Sequence, residues 1–161
     1  MKTIHKKYKL ITEKGTTLKR LVALRDFSNV KKGDKGGLIE SEKNLSHDGD
    51  AWVFGNARVF GNARVYGDAR VYGDAQVHGD AQVSGDAIIK EKNDYICIGP
   101  IGSRNSFLTF TFSNRKISTG CFYGGIKEFL EKLNQRHPEG KYRDEYQAVV
   151  DMIIKLSGEN Q

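Results

Sequence analysis

The chain has 161 residues, of which 38% are hydrophobic and 29% charged, and it carries a formal net charge of +6. That length is enough for one compact unit or two small ones. No window approaches the run of ~20 apolar residues that a membrane helix needs, and the opening stretch lacks the apolar core of a signal peptide, so a soluble cytoplasmic protein is the expectation.

The charge is unevenly placed. Residues 1–36 hold eleven Lys/Arg against Glu13, Asp26 and Asp34, a net +8 that leaves −2 for the rest. Such a segment attracts anions through its long-range field, whether nucleic acid, nucleotide or acidic protein; the alternative is a solvated lysine-rich face that only aids solubility. Within it, Tyr8-Lys9-Leu10-Ile11 and Leu18 to Leu24 read as two strands around the turn Lys14-Gly15, followed by a loop from Lys31 to Gly37. This predicts an N-terminal β-hairpin cap over residues 1–36.

The next segment, 37–90, is periodic. From Val53 the chain reads VFGNAR, VFGNAR, VYGDAR, VYGDAQ, VHGDAQ, VSGDAI, six tandem units ending at Ile89. Val recurs at the β-branched position, Ala at the small one, and Gly-Asn or Gly-Asp lies between. Val suits an extended site facing inward, Ala a narrow interior, and Gly followed by Asn or Asp the unusual backbone angles of a corner. A chain turning every six residues closes a triangular coil after three units, so residues eighteen apart stack at the ~4.8 Å strand spacing. Phe54 is then expected over Tyr72, Phe60 over His78, Tyr66 over Ser84, Arg58 over Gln76 and Arg64 over Gln82. Upstream, Gly49-Asp50-Ala51 fits the same phase, and Gly36 to Ser46 reads as a degenerate first coil. The outside ladder of Phe54, Phe60, Tyr66 and Tyr72 with Arg58 and Arg64 is more apolar than a solvated wall. It is expected to be covered by flanking segments, a second subunit or a partner, or to serve as a stacking surface for bases.

These units resemble the hexapeptide-repeat family. The resemblance implies a parallel β-helix of left-handed sense, here about three coils, and assembly into homo-oligomers, with the trimer as the family's habit.

The remaining residues, 91–161, break the period. Tyr95-Ile96-Cys97-Ile98 and Phe107 to Phe112 read as strands, with Leu108, Phe110 and Phe112 on one face, and a third strand is expected near Ile117. A glycine-rich turn, Gly120 to Gly125, leads into a helix with Ile126, Phe129, Leu130 and Leu133 at helical spacing, ended by His137-Pro138. A second helix, about Tyr142 to Leu156, places Tyr146, Val149, Val150 and Ile153 on one stripe. The predicted fold class is thus mainly β, a short β-helix with a hairpin cap and a small α+β module of strands plus two helices.

The tail also holds the candidate chemistry. A glycine-rich turn at a helix N-terminus leaves backbone N–H groups and a positive dipole end for phosphate or carboxylate. A second turn, Gly99 to Asn105, adds a hydroxyl and a guanidinium fork. The candidate ligand-binding residues are Ser103, Arg104, Asn105, Thr119, Gly120, Cys121, Tyr123, Gly124 and Gly125; the competing reading makes these ordinary tight turns, with Arg104 paired to a surface carboxylate. Cys97 and Cys121 lack metal-ligand spacing and are too few for a disulfide framework, so no metal, cofactor or disulfide is expected. Cys121 reads as a buried small residue and His137 as a helix cap, held too far apart by the helix between them for a catalytic dyad. His5, His47 and His78 have no carboxylate partner in sequence, so no catalytic residue is assigned.

Over residues 24–90 the order LRDF, VKKGDKGGLIESEKNLS, GDAWV and then tandem VYGDA is similar to small hexapeptide-repeat proteins of bacteriophages and of prophages in Gram-positive bacteria, often labelled hexapeptide transferases. The tail with GSRN, LTF and GCFYGG resembles the module that follows the helix in that group. Larger acyltransferases of this kind use a histidine on a loop between coils, and no such loop interrupts Val53 to Ile89. The expectation is therefore a non-catalytic phage-type binder of a phosphate-bearing small molecule, sequestering a nucleotide immune signal in the host bacterial cytoplasm. A protein-binding inhibitor or scaffold using the helix wall is the alternative, and an acyltransferase-like enzyme using Cys121 or His137 the second. A nucleic acid polymer is not the favoured partner, and no membrane contact is expected.

Overall fold

Alternation between Val and Ala every few residues gives the first unit its form. The computed structural model describes residues 5–158, which divide into a unit ending at Asp94 and a second beginning at Tyr95. Each repeat contributes one two-residue strand: β4 (Trp52–Val53), β5 (Arg58–Val59), β6 (Arg64–Val65), β7 (Arg70–Val71), β8 (Gln76–Val77), β9 (Gln82–Val83) and β10 (Ile88–Ile89). These pair in parallel as three stacks, β5 on β8, β6 on β9, and β4 on β7 on β10, each partner eighteen residues away. A short β-solenoid results. Every repeat Val and Ala from Val53 to Ala87 has no exposed surface, so one column of branched and one of small side chains fill the interior.

The corners follow from the glycines, which hold φ between 59° and 69° from Gly55 to Gly85. A side chain there would be strained, and at Gly67 a Cβ would also stand 3.0 Å from the nitrogen of Gly85. Outside, the rings stack as the period predicts: Phe54 on Tyr72 at 4.4 Å and 9°, Phe60 on His78 at 5.3 Å and 16°. Within this unit Phe54, Phe60, Tyr66 and Tyr72 are half-buried, and Arg58 and Arg64 are exposed.

The start of the solenoid departs from the repeat. Ile39 pairs with Val59 and Leu45 bridges to Val65, both at a spacing of twenty, whereas Val53 pairs with Val71 at eighteen. Two extra residues therefore lie between Leu45 and Val53, in the corner that carries His47. The strand that Leu45 would have led is replaced by a short 3-10 turn, Glu42–Asn44. Asn44, fully buried, takes over its hydrogen bonds: Nδ2 donates to the carbonyls of Gly61 (3.0 Å) and Ala63 (2.9 Å), and Oδ1 accepts from the Ser41 N–H at 2.9 Å.

The hairpin forms where the sequence predicts it, as β1 (Tyr8–Thr12) antiparallel to β2 (Lys19–Ala23). It continues through β3 (Lys35–Ile39), antiparallel to β2 and parallel to β5, so one sheet runs β1-β2-β3-β5-β8. The hairpin thereby covers an edge that would otherwise be open to pairing. Its side chains also close the first turn. Tyr8 Oη donates to the carbonyls of Leu45 (2.6 Å) and Glu42 (3.2 Å), and Lys7 Nζ to those of Ala51 (2.8 Å) and Gly49 (3.2 Å). Trp52, 1% exposed, packs edge-on against Tyr8 and Phe27 beneath them.

In the second unit β11 (Tyr95–Ile101), β12 (Ser106–Thr111), β13 (Lys116–Thr119) and β14 (Phe122–Gly124) form an antiparallel meander in chain order. Helices α1 (Ile126–Arg136) and α2 (Lys141–Ser157) pack on it, burying Leu108, Phe110 and Ile117 against Phe129, Leu133, Val149, Val150 and Ile153. Phe112 and Tyr146 join this core only in part. One expectation is corrected: Gly120 to Gly125 is not a single open turn. Phe122–Gly124 pair with β13, Thr119 opposite Phe122 and Ile117 opposite Gly124, so the turn itself is confined to Gly120 and Cys121. Among the described residues no helix is long and apolar enough to cross a membrane.

Candidate functional site

In an antiparallel meander the first and third turns fall at the same end. The register places Ile101 opposite Ser106 and Thr119 opposite Phe122, so the turn after β11, carrying Ser103 and Arg104, lies at the same end as the Gly120-Cys121 turn. Helix α1 presents Phe129, Lys132, Leu133 and Arg136 along one face at i, i+3, i+4 and i+7. These three features border one cleft of about 130 Å³, completed by Ser106, His137 and Tyr146. A volume near ~150 Å³ admits a benzene ring, so the cleft is on the scale of a single ring or one phosphate group.

Its walls differ in chemistry. Phe122, Phe129, Leu133 and Tyr146 supply an apolar floor, with Phe122 and Phe129 edge-on at 5.2 Å and Phe129 and Tyr146 at 5.6 Å. Ser103, Ser106 and Thr119 supply hydroxyls. Arg104, Lys132 and Arg136 supply cations, and among the described residues no carboxylate borders the cleft. Among the described residues none of these three cations makes an ion pair; Lys132 Nζ instead rests 5.6 Å from the centre of the Phe122 ring. Burial pushes the Tyr146 phenol up, Glu145 adding to the shift and Arg104 opposing it.

The carboxylates close by are occupied elsewhere. Glu128 Oε2 accepts from the Gly125 N–H at 2.8 Å, and Glu145 Oε2 accepts from the Gly102 N–H at 2.9 Å. This corrects the expectation in part: at Gly102 and Gly125 the chain's own acids take the backbone N–H that a ligand would have used. Glu128 also brings a negative charge to the α1 N-terminus, where the dipole favours one. Gly102 has a second reason to be glycine, because it holds φ +70° and a Cβ would stand 2.2 Å from Tyr146 Oη. Glu145 and Tyr146 thus seat the Arg104 turn on α2.

Of the residues predicted for the site, Ser103, Arg104, Thr119, Gly120 and Cys121 border the cleft, and Asn105, Tyr123, Gly124 and Gly125 do not. Tyr123 is exposed and its hydroxyl lies 3.3 Å from Asn114 Nδ2; Gly124 is buried beside Phe122 and Glu128. Cys121 is exposed, not buried as expected, because it stands in the short turn between Thr119 and Phe122 and not in a paired strand. His137 caps α1, its N–H donating to the Leu133 carbonyl at 2.8 Å, and its ring meets Tyr142 edge-on at 5.7 Å. Although the helix lies between them in sequence, Cys121 and His137 both border the cleft. Sequence reasoning missed Lys132 and Arg136. Their signal was present: two cations four residues apart, about 6 Å along the axis, on the same face as Phe129 and Leu133.

No match was found among curated proteins. Residues 63–79, inside the tandem repeat, match a family model described as the YdcK beta solenoid repeat, so this stretch of the chain is similar to a β-solenoid repeat.

Proposed function

We propose that the chain is a non-catalytic binder of a phosphate-bearing small molecule, held in the cleft of the second unit, with the solenoid as its scaffold. The carrying observation is the set of three cations, Arg104, Lys132 and Arg136, which share one cleft and have no carboxylate partner among the described residues. Chains place opposite charges beside exposed cations readily, and here the two neighbouring acids are spent on backbone N–H groups. A ligand with two or three negative charges would complete the set, one ring or one phosphate seated in the cleft and the rest of the molecule lying outside it. In its narrower form the reading takes the solenoid as a left-handed hexapeptide β-helix of about three coils in a phage-type homo-oligomer, trimeric by family habit. The ligand is then a nucleotide immune signal of the bacterial host, kept from its receptor. The resemblance of the repeats and tail to phage proteins motivates this form.

The test is a thermal-shift screen against cyclic oligonucleotides, ADP-ribose derivatives, acetyl-CoA and inorganic phosphate, repeated with Arg104→Ala and Arg136→Ala. A ligand at 100 times its Kd stabilises by about 2.7 kcal/mol. The reading expects a shift of several degrees from one nucleotide class, lost in both variants, with the nucleotide recovered intact. Absence of any shift sinks it. Turnover abolished by Cys121→Ala or His137→Ala would establish the acyltransferase-like alternative instead.

A second reading has its own support. The Phe54–Tyr72 and Phe60–His78 stacks, half-buried except for exposed His78, follow two of the strand columns beside exposed Arg58 and Arg64 and form a rigid surface of the kind that anchors a protein partner, as an inhibitor or scaffold would use it. Capture of one partner that is lost in Phe54→Ser and Phe60→Ser, with nucleotides inert, would favour it.

A further inference from the structure

In the first unit, the corner with two extra residues brings His47 against the N-terminal segment. Its ring stacks on Tyr8 at 4.1 Å and 18°, and its Nδ1 accepts the Lys7 backbone N–H at 3.1 Å. Accepting there fixes the neutral tautomer with its proton on Nε2. That Nε2 is buried, has no hydrogen-bond partner and lies 3.7 Å from Glu42 Oε2. The repeat requires none of this, since the other corners close without an insertion.

We infer that His47 is a pH-sensitive latch: in its neutral form it holds β1 over the open first turn of the solenoid, and protonation releases that strand. The conflict is geometric. A protonated ring carries a hydrogen on Nδ1, which would face the Lys7 N–H, donor against donor, and the bond that seats the strand is lost. The charged groups facing the ring are Glu42 from the 3-10 turn and Lys6 and Lys7 from the segment entering β1; the Tyr8 phenol stacks on it. Glu42 pairs with Lys6 Nζ through Oε1 at 3.0 Å, and its Oε2, 3.7 Å from His47 Nε2, favours the imidazolium without restoring the bond lost at Nδ1. Burial pulls the imidazole below its ordinary range, only partly offset by Glu42, with Lys6 and Lys7 pulling further down. The sign follows: the released form binds the proton more readily, so closure is complete above the ordinary imidazole range and is lost as pH falls through it, by up to about tenfold per pH unit for one proton.

The chain contains its own reporter. Trp52 is the single tryptophan and lies 6.2 Å from Tyr8, ring centre to ring centre, with 1% exposure. Its emission should shift red between pH 7 and 5 while the far-ultraviolet β signal of the solenoid persists. His47→Asn keeps an acceptor where Nδ1 stood and cannot protonate, so in that variant the acid shift should disappear. Should it not fold, the ring-proton titration of His47 by NMR in the parent chain decides, because its midpoint must coincide with that of Trp52. A Trp52 transition unchanged in His47→Asn, two midpoints that differ, or a red shift that occurs only with loss of the β signal would each overturn the latch.

Discussion

The two units dispose of their polar groups in opposite ways. At the start of the solenoid the chain supplies its own donors to stranded backbone carbonyls: the Tyr8 hydroxyl, the Lys7 ammonium and the Asn44 amide between them reach six, those of Glu42, Leu45, Gly49, Ala51, Gly61 and Ala63. In the second unit Glu128 and Glu145 close two backbone N–H groups, yet Arg104, Lys132 and Arg136 border a cleft with no counter-charge among the described residues. Closure at one place and open charge at another separate what holds the fold from what is available to a ligand. Substitutions can push on each side of that contrast.

The largest effect is expected from Val71→Asp, at the centre of the β4-β7-β10 stack and with no exposed surface. A carboxylate there has no partner and no water, a change of the class that costs more than about 4 kcal/mol. Urea denaturation followed by Trp52 emission should find the first unit unfolded. Next is Asn44→Leu, which keeps the branching and number of side-chain heavy atoms but strands two carbonyls and the Ser41 N–H at once; about 3 kcal/mol is expected from the same measurement.

How legible each residue was in the sequence follows the same division. Val71 could be read at sight because six units repeat one demand, and the stacking partners eighteen residues apart could be named from the period. Asn44 could not: it stands where the later repeats carry an outward Arg, and its value depends on a strand that is missing from its own turn. Lys7 and Tyr8 do not stand out in a basic N-terminal segment, since their partners lie 34 to 44 residues further on. In the tail three of the four strands and both helices are legible from period and breakers, whereas β14 is hidden inside what reads as a glycine-rich turn. The glycine donors were misjudged because the acid that fills one of them, Glu145, comes 43 residues after Gly102. Lys132 and Arg136 were passed over because cations four apart on a helix ordinarily mark a solvated face.

A smaller effect tests the closure of the first turn by Tyr8 and Lys7. Tyr8→Phe keeps the ring on His47 and removes only the hydroxyl, leaving the Leu45 carbonyl unpaired, for about 1–2 kcal/mol. Lys7 gives the same place a pH signature. Burial, aided by Arg25, pulls its amine down to about 8 from the usual 10.5, against the pull of Asp50, Asp48 and Asp68. Between pH 8 and 10 the unfolded chain therefore holds the proton that the folded one has released, and stability should rise with pH across that window. Above pH 10 the Tyr8 phenol, raised by burial, works the other way, since the unfolded phenol ionises first. In Lys7→Met the rise between pH 8 and 10 should be absent; its persistence would mean that another group carries it.

Arg136→Ala should change stability least of all, by no more than about 0.5 kcal/mol, because the side chain is exposed and makes no ion pair among the described residues. That is why it is informative. Removing one of three like charges from a shared cleft relieves their mutual repulsion, so a cleft with no ligand should leave the apparent Tm unchanged or raise it slightly at low salt and not at high salt. With a multiply charged nucleotide present the order should invert: the parent gains several degrees and Arg136→Ala gains little, the gap closing as salt is added. A substitution that costs the folded chain nothing but costs the complex its stability marks a residue kept for binding. Equal melting of parent and variant with every ligand would return the three cations to the solvated surface.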